Sequence, residues 1–194
     1  IERIFEYFEN DIKRTFSKNE IFTIFKENRR ILLFLFNKKI ITPEETYVKY
    51  LDEIGEPNSP RLCHFFYPEI FEFITEEKRK EIEEEIININ KNKFDNNSKK
   101  RFQGENDSYL CSLIRTDSVE EFISYSSKMN FSLNKRVEPS IFETNPFLIN
   151  KRPTLIEYSA FYGSIQIFTF LQFNNVELEP SLWLYSIHSN NPEI

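Results

Sequence analysis

Residues 154–176 read TLIEYSAFYGSIQIFTFLQFNNV, and the local signals in this stretch predict two short helices joined by a tight turn. Thr154 and Glu157 stand at the spacing of a capping box, in which the two side chains satisfy each other's free backbone N–H groups. Leu155, Ile156, Ser159 and Ala160 follow with the apolar and small residues at helical spacing. Gly163 then supplies a residue that tolerates the left-handed conformation at a helix end. Ser164 is positioned to cap a second helix, on which Ile165, Ile167, Phe168, Phe170 and Leu171 give an apolar face. Asn174 and Asn175 close it by visiting positive φ. An isolated helix shorter than about 12–15 residues is marginal in water, so the pair requires neighbours on both sides.

This stretch resembles an ankyrin repeat, whose motif runs Thr, Pro, Leu, His, then two alanines, two variable residues and a glycine, followed by an Ile/Val and Leu run. Thr154, Ile156, Ser159, Ala160, Gly163, Ile165, Ile167, Phe168, Phe170 and Leu171 fall on matching or conservatively replaced positions. Leu155, Glu157, Ser164 and Asn175 stand instead where the motif has its proline, two histidines and closing glycine. The change at Glu157 removes the histidine that supports hydrogen bonding between successive repeats in that family.

Working outward, 109–115 and 118–125 read as a second helix pair of the same type, with Asp117 at the glycine position and Ser118 and Glu121 at capping-box spacing. Leu113 and Ile114 occupy the two alanine positions. Their bulk implies a looser approach to the next unit, as in a first or capping repeat. A third unit begins at Ser181, where Leu182, Trp183, Ser186, Ile187 and Asn190 align with Leu155, Ile156, Ser159, Ala160 and Gly163. The spacing between units is 27 residues from Gly163 to Asn190 and 46 from Asp117 to Gly163. Against a usual ankyrin period of about 33 residues, the longer interval must hold an insertion, placed at 131–153.

The first half of the chain is also predicted to be helical. Ile1, Ile4, Phe5, Phe8, Ile12 and Phe16 form one stripe of an amphipathic helix. Ser17 and Glu20 make a capping box, and 21–36 continues as two helices separated near 28–30, with 31–36 buried. Thr42, Pro43 and Glu45 open a helix that Gly55 ends, with Tyr47, Val48, Leu51 and Ile54 facing the core. Ser59 and Pro60 start a short helix through Leu62, Cys63, Phe65 and Phe66, and Pro68 opens its partner with Ile70, Phe71 and Ile74. The charged helix from Thr75 to about Asn92 keeps Ile82, Ile86, Ile87 and Ile89 for packing, and its charge run reads as a solvated face. The polar stretch 94–107 reads as an exposed linker. The expected organisation is therefore an irregular α-helical domain at 1–93, a linker at 94–107, and irregular ankyrin-like repeats at 108–194. In fold class this is all-α, a stack of helical hairpins forming an ankyrin-like solenoid.

Composition agrees with that class and excludes several others. Phenylalanine is abundant at 21 residues and glycine scarce at 3, which disfavours turn-rich β architectures and suits helices packed through aromatic faces. The excess of Ile, Asn, Lys and Phe over Ala is also what a nucleotide-biased genome produces, so composition carries little functional weight. A formal charge of -6 argues against nucleic-acid binding, which needs a basic surface to displace phosphate counterions. Lys99, Lys100 and Arg101 form only a local basic patch. No uncharged run of 18 apolar residues exists to span a bilayer, and the beginning of the chain carries no apolar signal-peptide core. The expected compartment is the cytosol, with the nucleus as the alternative. The chain begins at Ile1 without methionine and ends just after a helix-start signal at Asn190, Asn191 and Pro192, so it is expected to be a fragment.

Residues capable of chemistry are few. His64 and His188 are the only histidines. His64 adjoins Cys63, but neighbouring helical side chains diverge and cannot form a nucleophile–base pair, so a packed histidine is expected. Cys63 and Cys111 lie far apart in apolar surroundings and read as buried free thiols. No CxxC, HExxH, P-loop or GxGxxG pattern occurs, and the acids at 83–85 lie on a charged helix with no pocket signature. The glycosylation sequons at Asn96, Asn106 and Asn130 are of the kind that arises by chance in an Asn- and Ser-rich chain. No catalytic, cofactor-binding or metal-binding residue is expected.

The phrases ENDSYLCSLIRTDSVEEFI, PSIFETNPFLI, PTLIEYSAFYGSIQIF and SLWLYSIHSNNPEI resemble the run-in to the ankyrin array of a large, lineage-expanded family of protist proteins with a domain of unknown function. The resemblance covers 104–194 closely and the first half more loosely. It implies a non-enzymatic protein-protein interaction scaffold whose partner is another protein. By analogy with ankyrin repeats, the variable positions of the first helices line the binding face: Arg115 and Thr116, then Tyr158, Phe161 and Tyr162, then Tyr185, His188 and Ser189. The aromatics among them read equally well as packing against the insertion at 131–153. The competing function is a supporting or regulatory region of a larger enzyme whose catalytic domain lies outside this chain. A third, a helical nucleic-acid binder, would show affinity that falls steeply with salt.

Overall fold

The structure is a computed structural model, and it describes residues 2–53, 61–90, 98–149, 151–189 and 191–194. Among these residues the fold is all-α. The first half holds α1 (Glu2–Tyr7), α2 (Glu9–Thr15), α3 (Lys18–Phe25), α4 (Arg29–Asn37), α5 (Glu45–Glu53), α6 (Leu62–Phe65), α7 (Tyr67–Ile70), α8 (Glu76–Asn90) and α9 (Ser98–Gln103). The second holds α10 (Tyr109–Arg115), α11 (Val119–Met129), α12 (Pro146–Ile149), α13 (Leu155–Tyr162), α14 (Ile165–Phe173) and α15 (Leu182–Ser189). Among the described residues, extended pairing is confined to one antiparallel bridge between Arg136 and Thr154. No described helix is long and apolar enough to cross a membrane.

The chain divides into two compact units. The first comprises Ile1–Glu105 together with Ser140–Ile149, and the second Asn106–Pro139 together with Asn150–Ile194. The division at Glu105 falls inside the stretch read as a linker, but its described residues, 98–107, are not a uniformly exposed connector. Residues 98–103 form α9, and Arg101 is buried against Glu69 in an ion pair. Its polarity misled because the polar groups have partners. Residues 94–97 lie outside the described set.

The first unit is built as its apolar pattern requires. Leu32, Leu35, Ile41, Leu51, Phe66 and Ile70 are fully buried in one cluster. Ser17 and Glu20 form the expected capping box on α3, and the Asn28 side chain accepts the Ile31 N–H to open α4. Several readings need correction. The N-terminal segment is two helices meeting at Phe8, and Ile4, Phe8 and Phe16 of its apolar stripe are exposed, while only Phe5 and Ile12 pack on the core. The α5 helix begins at Glu45, and Thr42 Oγ1 accepts from Lys18 Nζ rather than capping it. The 62–70 stretch is two single turns meeting at Phe66, a weaker structure than a helix pair, followed by a 3-10 turn at Phe71–Phe73. On α8, Ile82 and Ile86 are buried but Ile87 is exposed. Ile1, Ile54, Gly55, Ser59 and Pro60 lie outside the described residues.

Part of the insertion placed at 131–153 serves the first unit. Ile141 and Phe142 join its core cluster. The buried Arg29 donates through Nη1 to the carbonyls of Ile141 at 3.4 Å and Glu143 at 3.1 Å. Burial lowers the Arg29 pKa to about 10, which leaves it cationic at neutral pH. Thr144 returns its N–H and hydroxyl to the Gly104 carbonyl at 3.0 and 2.8 Å. Gly104 adopts φ +68°, and an added Cβ would collide with Thr144, so both conformation and space call for glycine.

The second unit contains the stretch from which the fold was read. The Thr154–Glu157 capping box is present, and Gly163 ends α13 at φ 70°. Asn175 takes φ 54°, whereas Asn174 stays at φ -90° and donates its side-chain amide to Phe170 O. Helix α10 packs against α11 and α13, α14 packs against α11 and α13, and α15 packs against α13. Helix α15 opens at Leu182, next to the Ser181 at which a third unit was expected to begin, while Asn191–Ile194 forms a turn rather than the start of a further helix. Asn190 lies outside the described residues.

Candidate interaction surface

The residues assigned to the binding face come from α10, α13 and α15 and from Thr116, which caps the end of α10. Tyr158 and Tyr162 stand four residues apart on α13, hence on one face, with ring centroids 4.9 Å apart. Tyr162 meets Phe161 at 5.1 Å, and Phe161 meets His188 of α15 at 4.9 Å. On the other side the Arg115 guanidinium lies 6.0 Å from the Tyr162 ring centre. A row therefore runs from α10 through α13 to α15. Along it His188 is exposed, and Arg115 and Tyr162 are half-buried.

Not every expected anchor lies on the surface. Tyr158 is 1% exposed, and its hydroxyl accepts from Arg115 Nη1 at 3.1 Å, the same nitrogen donating to Asn106 O at 2.8 Å. Burial drives the Tyr158 pKa far up, so the hydroxyl remains neutral and able to donate. Tyr158 holds Arg115 in place from below. Phe161 is likewise buried, edge-on to Tyr162. Tyr185 is 4% exposed; burial first, with Glu157 as the next cause, pushes its pKa up to about 12. Thr116 is exposed, but its hydroxyl bonds the Ser112 and Leu113 carbonyls and meets Ser118 Oγ at 2.8 Å. The Ser189 hydroxyl bonds Ser186 O at 2.9 Å. The row thus reduces to Arg115, Tyr162 and His188 at the surface over Tyr158 and Phe161.

Two carboxylates that frame this row were not read as functional groups in the sequence. Asp117 takes φ 51°, the left-handed position where the ankyrin motif has glycine. Its two oxygens accept the N–H groups of Gln166 and Ile167, both at 3.0 Å. These are orphan donors at the start of α14. Ser164, expected to cap α14, makes no such bond, because its hydroxyl donates to Ile114 O at 2.5 Å. Ser118 likewise does not cap α11. Glu157, 1% exposed, accepts the Thr154 N–H and hydroxyl with Oε2 and the Ser181 hydroxyl with Oε1 at 2.5 Å. This carboxylate thereby links the start of α13 to Ser181, just before α15.

Outside the row, chemistry is confined by burial. Both cysteines are free and buried, and burial raises the Cys63 thiol to about 12, which suppresses thiolate reactivity. His64 is 4% exposed; its Nδ1 accepts the Arg61 N–H at 3.0 Å, so Nε2 carries the hydrogen and donates to Glu85 at 2.8 Å. Among the described residues no group of three His, Cys, Asp or Glu side chains is placed to hold a metal. Comparison with protein-family models, characterised proteins and solved structures found no match to this chain.

Proposed function

We propose that the second unit is a protein-protein interaction module of ankyrin-like stacked hairpins, without catalysis of its own, in a cytosolic scaffold of the protist family that the sequence resembles. The observation that carries this reading is the row Arg115–Tyr162–His188, in which cationic and aromatic side chains from α10, α13 and α15 stand together over a buried tyrosine. Tyrosine and arginine held in place by their neighbours supply contact area at low entropic cost, which is why they dominate binding hot spots. First helices that are each followed by a left-handed residue, Asp117 after α10 and Gly163 after α13, and that pack α10 to α13 to α15, support the solenoid arrangement.

The test is affinity capture with the parent protein, with the double variant Tyr162→Ala/His188→Ala, and with Phe173→Ala as a control on a distant exposed position. Tyr158 is unsuitable because its removal would open a cavity. Partners lost from the double variant and retained by the control are expected. Equal recovery from all three folded proteins would refute the assignment of the face.

A further inference from the structure

Ser140–Ile149 belongs to the first unit, although the chain on either side, Asn106–Pro139 and Asn150–Ile194, belongs to the second. The segment therefore enters the first unit as an arm, held at both ends by chain that folds elsewhere. Ser140, Ile141, Phe142, Glu143 and Thr144 are all buried, and none of them is helical. Connecting segments normally run over the surface, because a buried loop leaves backbone polar groups without partners. Here the first unit supplies partners to that backbone, so the run lies in its unit as a ligand lies in a groove.

The contacts divide into a polar and an apolar set. Arg29, the first residue of α4, is 3% exposed and donates through Nη1 to the carbonyls of Ile141 and Glu143, at 3.4 and 3.1 Å. A guanidinium so placed holds two backbone carbonyls two residues apart, whatever side chains they carry. The Gly104 carbonyl accepts both the N–H and the hydroxyl of Thr144, at 3.0 and 2.8 Å. Selectivity comes from the apolar set: Ile141 and Phe142 enter the core cluster, and Lys100 Nζ stands 5.5 Å from the Phe142 ring centre. The arm also folds partly on itself, the Phe142 N–H donating to Ser140 Oγ at 3.1 Å and the Asn145 N–H to Glu143 Oε1 at 2.8 Å. A segment that sets part of its own shape loses less entropy on docking.

We infer that the first unit carries a peptide-binding site whose occupant is the chain's own 140–149, a tethered ligand that a free segment of the same pattern can replace. The pattern is isoleucine followed by phenylalanine, with threonine two residues further on. Tethering gives the arm an effective concentration in the millimolar range, so in the resting chain the site stays filled. The site belongs to the first unit, whereas the Arg115–Tyr162–His188 row belongs to the second.

The experiment disables the arm in the whole chain with Ile141→Ser/Phe142→Ser and adds the fluorescein-labelled peptide PSIFETNPFLI, residues 139–149, read by anisotropy. Amide hydrogen exchange of α4 and α9 reports the fold of the first unit. The double variant is expected to bind the peptide saturably with Kd below about 100 µM, and the parent about tenfold more weakly or less, because its own arm competes. A peptide carrying the same two serines should not bind. Should the double variant lose protection in α4 and α9, the parent peptide should restore it and the serine peptide should not. A folded variant that takes up no peptide overturns the proposal, as does equal uptake by parent and variant. Lost protection that the peptide does not restore also overturns it, because the arm is then a fixed part of the core.

Discussion

Replacing Asp117 tests the most specific claim about the second unit, that the start of one hairpin's second helix is capped by the preceding hairpin. The carboxylate accepts two α14 N–H groups at 3.0 Å each, and the residue holds φ 51°. Removing a helix cap costs roughly 1–2 kcal/mol, and an alanine forced to positive φ adds roughly 1 kcal/mol. Asp117→Ala should therefore destabilise by about 2–3 kcal/mol. Asp117→Gly loses the same two bonds but relieves the backbone, and should cost only about 1 kcal/mol. Asp117→Asn keeps one acceptor oxygen and tolerates the left-handed conformation, so it should fall near 1 kcal/mol through loss of a bond and of charge at the helix end. Urea unfolding followed by the fluorescence of Trp183, the single tryptophan and a residue of α15, reads the second unit selectively. If the alanine variant unfolds within about 0.5 kcal/mol of the parent, or the glycine variant is the less stable of the two, the cross-hairpin cap is refuted.

Two further outcomes follow from buried polar groups. Glu157→Gln replaces a carboxylate that accepts from Thr154 and Ser181 with an amide that has one acceptor oxygen, leaving a donor facing a donor, and should cost about 1–3 kcal/mol by the same fluorescence assay; a change below the scatter of the measurement would refute the inter-unit role of Glu157. Burial, the largest cause, lowers the His64 pKa from its ordinary 6.5, so the unfolded chain takes up a proton before the folded one does. Stability of the first unit should then fall as pH drops below about 6.5, and His64→Gln should flatten that slope in denaturant titrations at successive pH values; a parent whose stability is flat or rises on acidification through this window contradicts the sign.

What could be read without coordinates was what depends on neighbours in sequence. The Ser17–Glu20 and Thr154–Glu157 boxes span three residues each, and the left-handed end at Gly163 needs only glycine's freedom, so local chemistry determines them. What escaped depends on partners far along the chain. Ser164 carries the right residue type for a cap, but its hydroxyl is drawn to Ile114 O, 50 residues back, and no spacing rule reveals that competitor. The exposed Ile4, Phe8 and Phe16 show the converse: helical periodicity identifies a stripe without saying whether anything covers it. At the candidate face the aromatic row was legible, but the division into buried supports, Tyr158 and Phe161, and surface residues, Tyr162 and His188, was not. Positions 158 and 162 share a helix face, and Arg115 meets both rings, so sequence spacing does not separate their roles.

The exchange of caps between hairpins bears on how the second unit holds together. A helix capped by its own preceding residue gains stability whether or not its neighbour is folded, and such units can fray one at a time. Here α14 depends on Asp117, and Glu157 joins α13 to Ser181, so each hairpin lacks part of its hydrogen bonding until the next is in place. Helices of eight or nine residues have little intrinsic stability to begin with. Coupling of this kind transfers stability from the separate units to the contacts between them, which raises the cooperativity expected of a nearest-neighbour stack. It also keeps the surface row intact: Arg115, Tyr162 and His188 come from three different helices, and their spacing is maintained only while those helices fold together. Asp117 and Glu157 are therefore the residues whose side chains tie these helices to one another.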